Sequence, residues 1–168
     1  TSVESIETLD AVFMHGYCLV RLARHGPAEV AFQRCFTGRT QLLGPTHPET
    51  TQVLNELAAA QANQGKFGEA VANLEECLNR RRQHLGDRHE MTLATELNLA
   101  ATLANAKRFG EAESRLVAAA QAWGDDDQVP VALRQRLFQT LVQMYAKGGK
   151  PEMALPWKQK QEDLRPRR

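Results

Sequence analysis

The side chains able to do chemistry are few and scattered. His84, Asp87, His89 and Glu90 are metal-ligating types close together in sequence. They straddle Gly86, however, so the two histidines do not share a helix face, and His47 has no second histidine near it. His47 and His89 are therefore expected to cap helices, and no metal is expected. Arg80, Arg81 and Arg82, with Arg88 nearby, form a basic run where a helical pattern ends. The helix dipole favours cations there, so a solvated cap is expected. No aromatic residue interleaves with the run, which argues against nucleic acid. Asp125, Asp126 and Asp127 lack the spaced ligand set of a calcium loop and are expected to cap a helix starting near Gln128. Cys18, Cys35 and Cys77 have no C-x-x-C spacing and are expected to be free, buried structural thiols. With no Ser-His-Asp grouping either, no catalytic residue, no cofactor and no enzymatic activity are expected of this segment.

What remains is a positioning scaffold, and composition says of which kind. The 168 residues are enough to bury a core. Alanine and leucine are abundant, aromatics make up 6%, and glycine and proline occur singly. Helix is favoured over sheet. Net charge is +1 from 21 basic and 20 acidic residues, so there is no global field to collect nucleic acid or anionic lipid. No stretch approaches the roughly 20 apolar residues of a membrane span, so no direct membrane insertion is expected. The chain opens on Thr1 in mid-helical pattern and reads as a piece of a longer protein. Unpaired cysteines point to a cytoplasmic location; an extracytoplasmic arm of a membrane-anchored protein is the alternative.

The elements come from a repeat. Leu43-Gly44-Pro45-Thr46-His47-Pro48 returns as Leu85-Gly86-Asp87-Arg88-His89-Glu90, an offset of 42 residues. Gly65-Lys66-Phe67-Gly68-Glu69-Ala70 returns at the same offset as Lys107-Arg108-Phe109-Gly110-Glu111-Ala112. Ala28 and Ala154 extend the register outward. Each repeat reads as two helices, with helix A of the second running from Glu49 to Asn63 and helix B from Phe67 to His84. Small residues at Gly16, Ala58 and Ala100 on helix A, and Ala28, Ala70 and Ala112 on helix B, let the two axes approach. The fourth repeat has Val142 and Ala154 there, a looser terminal version.

At these residues the sequence resembles the tetratricopeptide-repeat family. The second repeat supplies Leu54, Leu57, Ala58, Gln61, Ala70, Leu74 and Cys77; the third supplies Glu96, Leu99, Ala100, Leu103, Ala112, Leu116 and Ala119. Gln61 and Glu96 depart from the family pattern. The 42-residue period, the Leu-Gly-x-x-His-Pro junction and the Asn55-Glu56-Leu57-Ala58 and Leu97-Asn98-Leu99-Ala100 runs resemble the kinesin light chain type of repeat. Tyr145, Gly149, Lys150, Pro151, Ala154 and Trp157 are similar to the last repeat of C-terminal arms in bacterial serine/threonine kinases, although no kinase motif is present here.

The resemblance implies an all-α fold, a right-handed α–α superhelix or solenoid of about four helical hairpins. It would be one domain with repeats at about 5–46, 47–88, 89–128 and 129–168. It also implies that the A helices line a concave groove. The groove residues would be Tyr17, Arg21, Gln52, Asn55, Glu56, Asn63, Asn98, Asn105, Arg136 and Gln139, with Met14 and Lys147 on the same face. Asn carries a donor and an acceptor together and is suited to gripping an extended peptide backbone. The expected function is a protein–protein interaction scaffold, with a protein or peptide partner. Two alternatives stand beside it: a homodimer-forming module, using the end faces (Val3 to Met14, or the last repeat with Trp157), and the sensor or recruitment arm of a larger signalling enzyme.

Overall fold

The structure is a computed structural model that describes residues 4–164. Val3 and the last residues of the fourth repeat lie outside the described residues. The elements are α1 (Ile6–Arg21), α2 (His25–Leu43), α3 (Pro48–Asn63), α4 (Phe67–Leu85), α5 (Glu90–Asn105), α6 (Phe109–Trp123), α7 (Val131–Lys147), a 3-10 turn (Pro151–Ala154) and α8 (Leu155–Asp163). No strand occurs among the described residues. The helices fall into two compact units, one ending at Gly86 and one beginning at Asp87. In the first, α1 packs on α2, α2 on α3 and α3 on α4; in the second, α5 packs on α6, and α7 packs on α5, α6 and α8.

Helix starts follow the repeat. Ser5, His47 and His89 occupy one register and each caps its helix with a side chain. The Nδ1 of His47 accepts from the Glu49 N–H at 3.3 Å, and the Nδ1 of His89 accepts from the Met91 N–H at 3.2 Å. These satisfy amides that the helix itself leaves unpaired. Corners between A and B helices repeat too. Ala23, Gly65, Lys107 and Gly149 share a register and all have positive φ, at 55°, 78°, 62° and 74°. Two of the four positions thus hold a side chain in the left-handed region that glycine tolerates best.

Inside each hairpin, sizes are traded between facing helices. Phe32 is fully buried in α2 and faces Gly16 of α1; a Cβ on Gly16 would lie 2.7 Å from the ring. One repeat later the same positions hold Leu74 and Ala58, and in the third repeat Leu116 and Ala100, all buried. The larger core residue is matched by loss of the methyl opposite it. Thiols add a second recurring contact: Cys35 Sγ–H donates to the Leu9 carbonyl at 3.4 Å, and Cys77 Sγ–H to the Thr51 carbonyl at 3.5 Å. Burial pushes the Cys35 thiol up, which keeps it protonated and donating.

Three expectations are corrected. Cys18 is exposed rather than buried, because it sits on the side of α1 that no described helix covers. The helix after the three aspartates starts at Val131, with Pro130 as its N-cap, rather than near Gln128. A residue that precedes proline is pushed out of the helical region, so Val129 cannot begin it. The aspartates hold the linker instead: Asp126 Oδ1 accepts the Gln128 N–H at 2.9 Å, Asp127 pairs with Arg134 at 3.1 Å, and Asp125 pairs with Lys160 at 2.5 Å. Arg81, read as part of a solvated basic patch, is buried. Its neighbour Arg80 donates to the Pro45 carbonyl at 2.7 Å and lies over the Phe36 ring, and only Arg82 of the three is exposed.

Two stability outcomes follow from this packing. Gly16→Ala should cost about 1–3 kcal/mol in urea unfolding, and adding Phe32→Leu should recover part of that loss, because the pair then matches the second repeat. Lys107→Gly should stabilise by about 0.5–1 kcal/mol, the left-handed strain removed less the added chain entropy, read as a raised midpoint at unchanged slope.

Candidate partner-binding faces

The expected binding residues all stand at five A-helix registers, those of Asp10, Phe13, Met14, Tyr17 and Arg21. In α1 the face is open at Tyr17 and Arg21, with Met14 57% and Tyr17 46% exposed. Asp10 is engaged: its carboxylate takes Arg39 Nη2 of α2 at 2.5 Å, and Arg39 also donates to the Glu49 carbonyl of α3 at 3.4 Å. The Arg39 guanidinium, itself buried, lies 5.2 Å over the Phe13 ring.

In α3 the picture differs from expectation. Asn55 is buried (8% exposed) and does not offer its amide at the surface. Its register is half core, since Phe13 packs against the core and Leu97 is fully buried at the same position. Gln52 and Glu56 form a chain with Arg81 of α4. Arg81 Nη2 donates to Gln52 Oε1 at 2.8 Å, and Gln52 Nε2 donates to Glu56 Oε1 at 2.7 Å. Burial pushes the Glu56 carboxyl above the usual carboxylate range, against the opposing pull of Asn55 and Arg81. Asn63, at the last residue of α3, is exposed. The buried arginines were not anticipated as members of this face. The available signal was the recurrence of Arg39 and Arg81 at 42 residues, each opposite the Asp10 and Gln52 register.

In the second unit α5 and α7 bring four of these residues together in pairs. Arg136 donates to the Asn98 side-chain oxygen, and Lys147 Nζ donates to Asn105 Oδ1 at 2.5 Å. Gln139 is exposed one turn along α7. Among the described residues neither Arg136 nor Lys147 has a carboxylate partner, whereas Arg88, Arg108, Arg115, Arg134 and Lys160 of the same unit all do. An amide oxygen orients a cation without neutralising it, so both charges remain available to a ligand.

The residues that departed from the expected pattern are polar substitutes inside the packing. Gln61 is buried and hydrogen-bonds Glu29 (3.3 Å), Glu69 (3.2 Å) and Asn73 (2.7 Å). Glu96 pairs with Arg115 at 2.9 Å. Tyr145, at the register of Gln61, donates its hydroxyl to Glu113 at 2.8 Å; with burial, this holds the phenol up at about 12. Trp157 stacks on Phe138, centroids 6.1 Å apart. Tyr145 and Trp157 thus serve the packing of the last helices. Among the described residues no three His, Cys, Asp or Glu side chains converge as a metal set would, and no helix is long and apolar enough to cross a membrane.

The tetratricopeptide-repeat family model matches residues 8–83 and again 50–123, two windows whose starts are one repeat apart. The chain belongs to the tetratricopeptide-repeat family. Solved structures agree on the fold, an all-α helical solenoid. BtubC (BKLC) from P. vanneervenii superposes with a TM-score of 0.81 at 15% identity, over 95% of this chain and 67% of that one. A Podosopora anserina putative kinesin light chain with nearly identical TPR-like repeats gives 0.80 at 21% identity, over 98% of this chain and 78% of that one. A point variant of that protein gives 0.82 at 21% identity, over 97% and 77%. The helical-repeat fold is therefore shared with these structures, while no curated protein matches the chain.

The Glu56 carboxyl yields a pH test. Its folded pKa is raised, so the folded state holds the proton more tightly and stability falls as pH rises from the unfolded value through the folded one. Glu56→Gln removes that loss. The variant should melt higher than the parent at pH 7, and the difference should vanish below about pH 4, where both states of the parent are protonated.

Proposed function

We propose that the chain is a protein-binding scaffold whose partner presents an extended, acidic peptide to the A-helix face of the second unit. Tetratricopeptide repeats are protein-interaction modules, and the B-helix side chains at the recurring registers are committed to packing. The observation that carries the acidic character is the pair Arg136 and Lys147, each held in place by a neutral asparagine oxygen. Carboxylates are the ligand groups that complete such sites, with Arg136 able to take one in bidentate fashion. The A-helix face of the first unit is a separate candidate surface, where exposed Met14 and Tyr17 would receive an apolar or aromatic side chain and Arg21 an acidic group. Asn63 and Asn105 supply backbone-gripping amides at the helix ends.

The test is a titration with an extended peptide carrying spaced Asp or Glu residues, followed by side-chain amide NMR. Shifts at Asn63, Asn98 and Asn105 support the reading; shifts confined to α2, α4 and α6 would sink it. Arg136→Gln with Lys147→Gln should weaken binding by about tenfold or more at low salt and flatten its salt dependence, while leaving the melting temperature nearly unchanged.

A further inference from the structure

The two cations of the second unit start from distant points on α7, and the asparagines of α5 bring their charges to a defined separation. Lys147 stands at the register of Asn105 and donates to that side chain at 2.5 Å. Arg136 stands at the register of Ala94 and reaches one turn along to the Asn98 oxygen. From position 136 to position 147 the rise along α7 is about 16 Å. From Asn98 to Asn105 the rise along α5 is only about 10 Å. The charged groups are therefore held about 10 Å apart, closer than the backbones that carry them.

Neither cation has a carboxylate partner among the described residues, unlike the other paired cations of this unit. Burial pushes the Arg136 guanidinium below its ordinary value, yet an arginine stays charged at neutral pH. A gap of about 10 Å is too wide for one carboxylate to bridge, so each cation takes its own acid. Between them, Ala101 leaves α5 without a long side chain, and Gln143 of α7 is exposed. A peptide backbone crossing there meets both a donor and an acceptor in the Gln143 amide.

The separation also selects a backbone conformation. In polyproline II three residues rise about 9 Å and complete one turn, so acids three apart share a side at nearly the required distance. In a strand, side chains sharing a side are two or four residues apart, about 7 or 13 Å, and those three apart point to opposite sides. Polyproline II further leaves its own backbone groups unbonded and open to Gln143.

We infer, on the reading that this face takes an extended acidic peptide, that Asn98 and Asn105 are positioning residues that fix the spacing of its acids. The ligand is a polyproline II segment with carboxylates at positions i and i+3, one on Arg136 and the other on Lys147. Adjacent acids, or acids far apart, engage one cation at a time.

Short fluorescent peptides test this on the full chain. Each carries two aspartates, one to eight positions apart in an alanine–serine background, so that net charge is constant. Anisotropy at low salt should find the three-apart peptide bound about fivefold or more tighter than the one-apart and six-apart peptides, because it alone engages both cations at once. Asn98→Ala keeps both charges but frees Arg136. It should bring all spacings to within about twofold of one another while the salt dependence stays. Equal affinity at every spacing in the parent overturns the inference and leaves the acidic-peptide reading standing. An optimum at two or four marks a strand and one at seven a helix, and either overturns it. So does a spacing preference that survives Asn98→Ala. Absence of binding at every spacing overturns both.

Discussion

The hairpin holds because two small residues face each other where helix A crosses helix B. Ala28, Ala70, Ala112 and Ala154 are each buried, and Gly16, Ala58 and Ala100 stand in the corresponding places on the A helices. Close approach of the axes brings the large residues of the same turn, Phe32, Leu74 and Leu116, into full burial. Dispersion and burial at these positions stabilise hairpins whose termini would otherwise be marginal as isolated helices. The contact is local, spanning about a dozen residues of chain, so closing a hairpin costs little loop entropy. Every other feature inherits its position from that crossing. The αL corner after each A helix, the side-chain caps that start α1, α3 and α5 and the spacing of surface residues repeat with the crossing.

The same constraint separates structural arginines from those left for a ligand. Arg39 and Arg81 run across the packed side of the B helices and end on Asp10 and Gln52. Their guanidinium groups are buried and committed, and a buried charge stripped of its partner is costly. Arg136 and Lys147 stand on α7, themselves at the A-helix face, and donate to the amide oxygens of Asn98 and Asn105 on α5. The difference lies in the acceptor. A carboxylate or a buried network consumes the charge, whereas an asparagine at the surface fixes its direction and leaves it uncompensated.

Much of this was legible in the sequence because the chain is compared with itself. Periodicity at 42 residues sets the helix bounds to within a residue or so: the A helix read from Glu49 begins at Pro48, and the B helix read to His84 ends at Leu85. The histidine caps were readable from their place just before Pro48 and Glu90. What escaped were events that depend on three-dimensional cover. Cys18 has the composition of a packing residue, and only the absence of a covering helix exposes it. Asn55 has the composition of a surface residue, yet its register turns inward. Pro130 outweighed three good capping aspartates, since a proline blocks the residue before it whatever the charges nearby favour.

Internal comparison also sorts the positions by what they must do. The registers of Gly16 and Ala28 vary only among small residues until the looser last repeat. The registers of Asp10, Phe13, Met14, Tyr17 and Arg21 vary more widely, reading Gln, Asn, Glu, Ala, Asn in the second repeat, Ala, Leu, Asn, Ala, Asn in the third and Arg, Gln, Thr, Gln, Lys in the fourth. Packing tolerates that variety where the side chains reach solvent, as at Met14, Tyr17, Asn63, Asn105, Arg136 and Gln139, whereas the Phe13 register turns partly inward at Asn55 and Leu97. A surface released from the packing constraint, yet held at fixed spacing by it, is where a repeat scaffold can acquire selectivity without disturbing its fold. The charge along it is uneven: its acids, Asp10 and Glu56, are tied into the arginine contacts of the first unit, while the charged residues at these registers in the second unit, Arg136 and Lys147, are both cations.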